Sequence, residues 1–421
     1  MKIIGVVLSA GEGTRLKSSL PKFLHKVGGL ELISNCIRIL KLSGVDKLFF
    51  VLGHDADDAQ KYIGHYPYVI QKKRKGTADA FLQAVDCLSS QYSDILVIYV
   101  DIPLIRPQTI KTIIAEHRKN DADITLATAI IDDPYGYGRV IRDQDKNIAC
   151  IKEEDILSRD EKKIKEVNVG VYIFKNSPYL KTYLKKISPK GKKKEKYLTE
   201  IIPNYYRDRK KICSVVVKDP QEVLGINTRN DLAVVNKIMF LRNAWEHIDR
   251  GVTVVSPENT YIELDVKIGR DTIIYPFVYI ERGVNIGKKC SIGPCSRIRG
   301  GSVLKNEVSV GNFAEIVRSH IGEGTKIRHF SYIGDARVGK NVNIGAGTVT
   351  ANYDGRNKNK TFIGNNAFIG SNSTIIAPVK IGNNAVVGAG AVVTKGKNVP
   401  ANSVVVGVPA KLLRRRKKWI D

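Results

Sequence analysis

Two hydrophobic patterns divide the chain. In the first half, short apolar runs alternate with stretches in which apolar residues recur every three or four positions. The runs predict buried parallel strands, and the periodic stretches predict helices. The strands are expected at 3–8, 48–52, 95–100 and 124–129, and the helices near 31–43, 55–64, 77–89 and 107–119. This alternation is typical of an α/β sheet with its ligand crevice at the carboxyl ends of the strands.

Two further segments of the first half stand apart from this alternation. Residues 188–196 are rich in lysine and are expected to form an exposed loop. Beyond Asn227, apolar residues recur at helical spacing as far as about Arg250, which predicts a helix long enough to serve as a spacer arm. The predicted organisation is an α/β domain, a helical arm, a repeat domain and a basic tail, at 1–228, 229–250, 251–408 and 409–421.

Beyond residue 251 the hydrophobic period becomes six. Hexads of this kind build a parallel β-helix, in which three hexads form one coil and aliphatic side chains stack inside. An antiparallel all-β domain with regular turns is the alternative, but it would not keep a strict six-residue register. The aliphatic positions are Ile262, Ile268, Ile274, Ile280, Ile286, Ile292, Ile298, Leu304, Val310, Ile316, Ile321, Ile327, Ile333, Val338, Ile344, Ile363, Ile369, Ile375, Ile381, Val387 and Val393.

One segment interrupts the hexads. Residues 351–360, with the sequence ANYDGRNKNK, do not fit the period and are expected to project as a loop. Because insertions in solenoids gather on one face and often bind ligand, this loop is a candidate binding segment.

A glycine-rich turn follows the first predicted strand. The sequence LSAGEGTR is followed by LPK, so Gly11 and Gly13 precede Arg15 and Lys22. Glycines let the backbone approach a phosphate closely, and the two cations supply fixed positive charge. The pattern matches neither the Rossmann GxGxxG nor the Walker GxxxxGK[ST] motif. A plain glycine turn with a surface arginine and lysine is the alternative.

Charge changes this picture little. The 421 residues include 68 Lys plus Arg and 42 Asp plus Glu, a net charge of +26. Such a surplus raises nucleic acid or an anionic membrane as a partner. However, the basic residues are spread over the whole length and lack interleaved aromatics, which favours a solvated surface over nucleic-acid binding. No apolar run reaches the length of a membrane span.

Cysteine usage and the first residues predict a cytoplasmic protein. The six cysteines are scattered, without CxxC and without histidines at zinc spacing, so neither a disulfide framework nor a metal cage is indicated. The apolar run at the start is too short for a secretion signal and lacks a cleavage site.

The glycine-rich segment resembles the signature of sugar-1-phosphate nucleotidyltransferases. Motifs along the rest of the chain are similar to the family of bifunctional N-acetylglucosamine-1-phosphate uridyltransferases/glucosamine-1-phosphate N-acetyltransferases. The fold that this resemblance implies is a Rossmann-like α/β nucleotidyltransferase domain joined by a helical arm to a left-handed parallel β-helix. The matching positions are Gln71, 76–77, 100–104, 133–139, Glu153, 168–170, 197–200 and 225–227, then 293–294, 297–299, 310–313, His329, 332–335, 341–348, 352–355 and Lys358.

For the first half, the resemblance implies transfer of UMP from UTP to a sugar-1-phosphate. Arg15 and Lys22 would clamp the phosphates, and Asp101 and Asn227 would hold Mg²⁺. Taken alone, Asp101 before a proline could merely begin a turn. The substrate-binding set implied by the resemblance is Leu8, Gly11, Gly13, Gln71, Gly76, Thr77, Gly138, Glu153, Asn168 and Asn227, with Gln71, Gly76 and Thr77 at the uracil and Gly138, Glu153 and Asn168 at the sugar.

A basic run, residues 72–75, adjoins the implied uracil motif. It could raise the local nucleotide concentration, but a solvated loop is the favoured interpretation.

For the second half, the resemblance implies transfer of an acetyl group from acetyl-CoA to an amino-sugar phosphate. His329 would be the general base, because an imidazole titrates near neutral pH. Glu315 would support His329 in the site. In this family the groove lies between the β-helices of a homotrimer. The acceptor set is Arg299, Tyr332, Asn343 and Lys358, and the acetyl-CoA set is Ala346, Asn352, Tyr353, Ser371 and Ala389.

Departures from the family pattern leave the second activity open. Val317 stands where the family has a lysine after Glu-x, and Arg318 cannot simply replace it because successive strand side chains point to opposite faces. Gly300 stands where a proline is usual, and the arginine usual near Gly407 is missing. The cluster 414–418 could meet the phosphates of coenzyme A, or of a neighbour's coenzyme, or be a disordered tail.

Three functions therefore compete. The first is the bifunctional enzyme. The second is a nucleotidyltransferase whose β-helix acts on another amino-sugar phosphate or mainly holds a trimer together. The third, binding of nucleic acid through the surplus charge, lacks any recognition fold.

Overall fold

The computed structural model describes residues 2–191 and 194–415. The chain divides into two compact units, residues 1–236 and 237–421. Arg416, Lys417 and Lys418, which belong to the predicted basic cluster, lie outside the described residues. The predicted domain boundaries remain a prediction.

The first unit alternates strands and helices. Its strands are β1 (Ile3–Ser9), β2 (Lys26–Val27), β3 (Leu30–Glu31), β4 (Leu48–Leu52), β5 (Tyr68–Ile70), β6 (Asp94–Tyr99), β7 (Ile124–Ile130), β8 (Arg139–Arg142), β9 (Ile148–Lys152), β10 (Glu166–Lys175) and β11 (Ile212–Val216). The helices are α1 (Leu32–Leu42), α2 (Ala56–Ile63), α3 (Thr77–Cys87), α4 (Pro107–Lys119), α5 (Pro178–Lys186), α6 (Ile202–Arg207) and α7 (Arg229–Ile248), the last of which continues into the second unit.

Short 3₁₀ turns complete the chain. They lie at Thr14–Leu16, Lys22–Leu24, Glu154–Ile156, Glu161–Lys163, Leu198–Ile201, Pro220–Val223 and Pro257–Asn259.

The main sheet runs in the order β11-β7-β10-β6-β1-β4-β5, with β8 and β9 attached through β10. Strands β6, β1, β4 and β5 are parallel, whereas β10 is antiparallel to both β6 and β7. The buried apolar runs of β1, β4, β6 and β7 therefore form the predicted α/β core. The sequence pattern did not predict β10, which lies between two of the predicted strands.

The second unit consists of short strands in three sheets. They are β12 (Thr253–Val254), β13 (Tyr261–Ile262), β14 (Lys267–Ile268), β15 (Ile273–Ile274), β16 (Tyr279–Ile280), β17 (Asn285–Ile286), β18 (Ser291–Ile292), β19 (Arg297–Ile298), β20 (Val303–Leu304), β21 (Ser309–Asn312), β22 (Glu315–Val317), β23 (His320–Ile321), β24 (Lys326–His329), β25 (Tyr332–Gly334), β26 (Ala336–Val338), β27 (Asn343–Ile344), β28 (Val349–Ala351), β29 (Thr361–Ile363), β30 (Phe368–Ile369), β31 (Thr374–Ile376), β32 (Val379–Ile381), β33 (Val386–Val387), β34 (Val392–Val393), β35 (Ser403–Val406) and β36 (Lys411–Arg415).

Every third strand pairs in parallel, so three strands make one coil of a parallel β-helix. The sheets run through β12-β15-β18, β13-β16-β19 and β14-β17-β20 and onward in the same step, except at the end of the first sheet, where β33 pairs with β35 and β35 with β36. Ile262, Ile280 and Ile298 are directly paired in register and stack inside. The predicted hexad positions are buried in one core cluster or, for Ile268, packed against it. The prediction of a hexad β-helix is confirmed.

The predicted insertion leaves the coil between β28 and β29, and Tyr353 and Lys358 form an antiparallel bridge within it. Near the end of the described chain, β36 pairs antiparallel with β35, so Arg414 and Arg415 of the basic cluster belong to a strand. None of the helices in the described residues is long and apolar enough to span a membrane.

Candidate active site

A cavity of about 750 Å³ opens at the carboxyl ends of β1 and β6 in the first unit. This is the expected crevice of an open α/β sheet. The structure brings together here every residue that the sequence predicts for nucleotidyl transfer. The cavity is lined by Leu8, Gly11, Gly13, Arg15, Lys22, Gln71, Gly76, Thr77, Asp101, Gly138, Glu153, Asn168 and Asn227.

The two glycines of the loop after β1 have different roles. Gly13 has a φ of +65°, and a Cβ there would lie 2.8 Å from the Cβ of Lys22, so this position requires glycine. At Gly11, in contrast, no atom lies within 4 Å of the place that a Cβ would take. Gly11 therefore leaves open space in the cavity wall, as close approach of a phosphate to the backbone requires.

Four polar side chains form a connected centre in the cavity. Lys22 Nζ donates to Asp101 Oδ2 at 2.5 Å and to Asn227 Oδ1 at 3.2 Å. Arg15 Nη2 donates to the same Asn227 oxygen at 2.9 Å. Asp231 fixes this end of the site, because its carboxylate accepts from the backbone N–H of Asn227 at 2.9 Å. A carboxylate oxygen and an amide oxygen thus converge on one cationic nitrogen.

In the wall of the cavity, Gln71 is buried after β5 and Thr77 begins α3. Thr77 Oγ1 accepts from the backbone N–H of Leu198 at 2.9 Å, which ties the start of α3 to the turn at Leu198–Ile201. From the basic run, Arg74 lines the cavity and forms an ion pair with Glu12. Residues 72–75 are all exposed in a loop, as the favoured interpretation has it, and Arg74 in addition lines the cavity.

Glu153 and Asn168, which also line the cavity, are held by neutral partners. Thr199 Oγ1 donates to Glu153 Oε1 at 2.7 Å, and Asn168 Nδ2 donates to the Tyr172 hydroxyl at 2.6 Å. Burial, together with the nearby carboxylates Asp155, Glu200 and Glu195, raises the pKa of Glu153, although the Thr199 hydrogen bond opposes this. This carboxylate accepts hydrogen bonds in a low-dielectric wall.

Sequence reasoning missed Tyr99. It is the last residue of β6, lines the cavity and lies against Gly170, where a Cβ at φ +83° would come within 2.5 Å of its ring. Burial raises the pKa of Tyr99 above the ordinary range. Its position just before the motif that starts at Val100 was the available signal, but a tyrosine in a strand is ordinarily a packing residue.

In the second unit, His329 is exposed at the end of β24. Within the described chain its ring makes no hydrogen bond or ion pair. Glu315, its expected support, lies 3.5 Å from Arg299 and pairs in register with Tyr332. The structure thus brings Glu315, Arg299 and Tyr332 together but does not bring the Glu315 carboxylate to His329.

Three of the expected acetyl-CoA residues, Ala346, Ser371 and Ala389, follow one corner of the β-helix through successive coils. The backbone N–H of Asn372 donates to Ala346 O at 2.7 Å, and that of Gly390 donates to Ser371 O at 2.8 Å. His329 lies at the same corner one coil earlier, since the ring of the next residue, Phe330, is 3.2 Å from the Cβ position of Gly347. This corner forms a continuous surface from His329 to Ala389.

A second corner carries Arg318, Asp335 and Asn352. The Asp335 carboxylate accepts from Arg318 and from Asn352. The hydrogen bonds from Arg318 lower the pKa of Asp335, and Lys358 in the inserted loop contributes to the same shift. Val317, where the family has lysine, is 1% exposed. The roles of the individual residues in both units remain predictions.

Comparisons with known proteins account for both units. The nucleotidyl transferase family matches residues 4–248, and the bacterial transferase hexapeptide family (six repeats) matches 265–300, 318–352 and 360–395. Bifunctional protein GlmU of Acetivibrio thermocellus is 38% identical and covers 90% of this chain and 89% of its own. GlmU proteins of Pelotomaculum thermopropionicum, at 41% identity over 90% of each chain, and of Streptococcus agalactiae, at 38% over 97% and 95%, are also similar.

The chain belongs to the GlmU family. The fold is thereby identified as a Rossmann-like α/β nucleotidyltransferase domain followed by a hexapeptide-repeat, left-handed β-helix, as predicted. Like the GlmU proteins that it matches, the chain is a bifunctional transferase with a nucleotidyltransferase and an acyltransferase part. The resemblance recognised in the motifs is confirmed over nearly the full length.

Proposed function

We propose that this chain acetylates glucosamine-1-phosphate with acetyl-CoA and then transfers UMP from UTP to N-acetylglucosamine-1-phosphate, with release of pyrophosphate. The observation that carries the proposal is the first-unit cavity, in which the phosphate loop, the Lys22 centre and the sugar-facing Glu153 and Asn168 share one space. Membership of the GlmU family supports both halves of the reaction.

Uridyl transfer requires two anions to meet. An oxygen of the sugar phosphate attacks the α-phosphorus of UTP, and the bond from that phosphorus to the pyrophosphate oxygen breaks. The protein needs only to align the reactants and neutralise charge. Arg15 and Lys22 supply fixed positive charge at the glycine loop, and the open space at Gly11 admits a phosphate close to backbone N–H groups.

The donor set at Asp101 and Asn227 fits Mg²⁺. Both oxygens contact Lys22 Nζ, so they face a single cationic position, and carboxylate and amide oxygens are hard ligands. Within the described residues, no group of three or more His, Cys, Asp or Glu is arranged to hold a metal. A site with two protein ligands is typical of Mg²⁺, which usually completes its coordination with water molecules and substrate phosphates. When bound there, the ion supplies charge neutralisation to the phosphates.

Acetyl transfer uses the β-helix. The amine nitrogen of the acceptor attacks the thioester carbonyl, the carbon–sulfur bond breaks, and coenzyme A leaves as the thiol. His329 takes the proton that the amine loses and then gives it to the departing sulfur. We assign Arg299, Tyr332, Asn343 and Lys358 to the acceptor, and Ala346, Asn352, Tyr353, Ser371 and Ala389 to acetyl-CoA.

We further propose a homotrimer through the β-helix. The exposure of His329, Ser371 and Ala389 at one corner supports it, because a second subunit can cover this surface and complete the groove. We also propose a cytoplasmic location, with which the free thiols of all six cysteines agree.

Pyrophosphate release from UTP and N-acetylglucosamine-1-phosphate tests the first half. We expect release by the wild type and a fall of several orders of magnitude in Asp101→Ala and Arg15→Ala. Lys61→Ala, which changes an exposed lysine on α2, is the control. Full activity in both site variants would overturn the assignment.

Thiol release from acetyl-CoA tests the second half. We expect release with glucosamine-1-phosphate and its loss in His329→Ala. His320→Ala changes another exposed histidine of the same β-helix and should leave the rate unchanged. The proposed homotrimer is tested separately by light scattering, which should give three times the mass of the chain.

Val317 favours one competing function. It is buried, and the neighbouring Arg318 is engaged by Asp335, so neither of these two side chains replaces the family's lysine. Faster thiol release with galactosamine-1-phosphate would identify a different acceptor. No release with either acceptor would leave the β-helix as a trimerisation scaffold.

A further inference from the structure

The orientation of the Gln71 side-chain amide is fixed by its partners. Gln71 is 5% exposed and follows β5 at the cavity wall. Its Nε2 donates to the carbonyl oxygen of Gly76 at 3.1 Å and to Asp79 Oδ2 at 2.8 Å. Both partners are acceptors only, so the nitrogen must face them. The amide oxygen, which has no hydrogen bond within the described residues, is left for a ligand.

Asp79 is itself held in place, although it does not line the cavity. It lies in the first turn of α3, where the helix dipole favours a negative charge. Gln83 Nε2, one turn later, donates to the same Asp79 oxygen at 2.9 Å. Asp79 can therefore act on a ligand only through Gln71.

We infer that Asp79 is a positioning residue that sets base specificity: it holds the Gln71 side-chain amide in the orientation that places the amide oxygen toward the nucleotide. The inference rests on the proposed function. An amide oxygen in this orientation accepts a hydrogen bond from the N3–H of uracil. Cytosine presents an acceptor at N3, so the same oxygen meets a lone pair and the pair is unfavourable. A buried polar group that is left unpaired discriminates strongly between such ligands.

Asp79→Asn tests whether Asp79 holds this orientation. The asparagine amide can donate as well as accept, so Gln71 becomes free to turn over and present its nitrogen. We expect the ratio of kcat/KM for UTP to that for CTP, followed by pyrophosphate release, to fall by about tenfold or more. Asp86→Asn removes the same charge from the same helix at an exposed ion pair with Lys181, and should leave the ratio unchanged.

The outcomes separate the alternatives. If Asp79 were merely structural, Asp79→Asn would lower both rates in proportion and keep the ratio, which would overturn the inference. In the wild type, UTP methylated at N3 lacks the donor and should lose at least about tenfold in kcat/KM; an undiminished rate would also overturn it, even if the variant did not fold. Failure of the proposed function is distinguishable, because then the wild type releases pyrophosphate from no nucleotide.

Discussion

The guanidinium of Arg318 and the carboxylate of Asp335 form a bidentate ion pair between neighbouring coils of the β-helix. Arg318 Nε donates to Asp335 Oδ1, and Nη2 donates to Oδ2, each at 2.7 Å. The same carboxylate accepts from Asn352 Nδ2 at 2.5 Å. The pair therefore links the coil next to Val317 with the start of the inserted loop, and it orients a residue proposed to contact acetyl-CoA.

We expect Arg318→Met to weaken acetyl transfer selectively. Without the guanidinium, Asp335 loses two charge-assisted hydrogen bonds, its pKa rises, and its hold on Asn352 loosens. The KM for acetyl-CoA should increase roughly 5- to 30-fold, corresponding to one or two kcal/mol. Thiol release as a function of acetyl-CoA concentration gives this value, and pyrophosphate release should stay at the wild-type rate.

Two variants sharpen this prediction. Arg318→Lys should raise the KM for acetyl-CoA less than Arg318→Met does, but not restore the wild-type value, because a lysine cannot make the bidentate contact. Arg337→Met changes an exposed arginine on β26 and serves as the control. A wild-type KM in Arg318→Met would show that the ion pair does not orient Asn352.

The two glycines of the phosphate loop should respond in opposite ways to alanine. In Gly13→Ala, the new Cβ meets Lys22 and the backbone is left-handed, so the variant should lose about 1–2 kcal/mol of stability. In Gly11→Ala, the methyl group enters open cavity, so Tm should hold while kcat/KM for UTP falls by at least about tenfold. Thermal unfolding and pyrophosphate release distinguish the two. A Gly11→Ala enzyme with full activity would contradict phosphate binding at this loop.

Local repetition explains why the β-helix could be predicted in detail. Each hexad stacks on the hexad of the next coil, as Ile262 does on Ile280, so the six-residue period alone indicates which residues are buried. In the first unit, the apolar runs predicted four strands of the sheet. They did not predict β10, because its place between β6 and β7 depends on long-range pairing and not on its own pattern.

The residues of the candidate site also fall into two groups, those that the sequence indicated and those that it did not. Residues in motifs, such as Arg15 and Lys22, were accessible to sequence reasoning because glycines and charges after a strand are unusual. Tyr99 and Asp79 were not, because a strand tyrosine and an acidic residue in a helix's first turn are ordinary structural features. Their proximity to the cavity and to Gln71 depends on how separate elements pack.

The raised pKa of Glu153 should appear in the pH dependence of uridyl transfer. Burial and the neighbouring carboxylates raise this pKa, and the ionised form accepts stronger hydrogen bonds from sugar hydroxyls than the protonated form does. As the pH falls through the raised pKa, the KM for N-acetylglucosamine-1-phosphate should increase at a pH where an ordinary glutamate is still charged. Thr199→Val removes the hydrogen bond that opposes the shift, so the increase should begin at higher pH. Glu153→Gln should bind more weakly and without this dependence; an unchanged profile there would assign the titration to another group.

Acid should destabilise the second unit through His247. This histidine, in the last turn of α7, is 5% exposed, and its Nδ1 has no hydrogen-bond partner within the described residues. Burial, together with the nearby Arg250, lowers its pKa from 6.5 to about 4. Below pH 6.5 the unfolded chain binds a proton that the folded chain does not, so stability falls with pH until the folded pKa is reached near 4. The loss attributable to His247 is about 3 kcal/mol.

Urea unfolding of the wild type and His247→Leu between about pH 7 and pH 4 measures this loss. Both tryptophans of the sequence lie beyond residue 236, and Trp245 on α7 reports on unfolding of the second unit. Carboxylates that titrate in the same range contribute equally to both proteins, so the difference between the two curves isolates the histidine. The leucine variant should be less sensitive to acid, with the gap opening below pH 6.5 and levelling off near 4. Parallel curves over the whole range would mean that His247 accepts its proton in the folded protein as readily as in the unfolded chain.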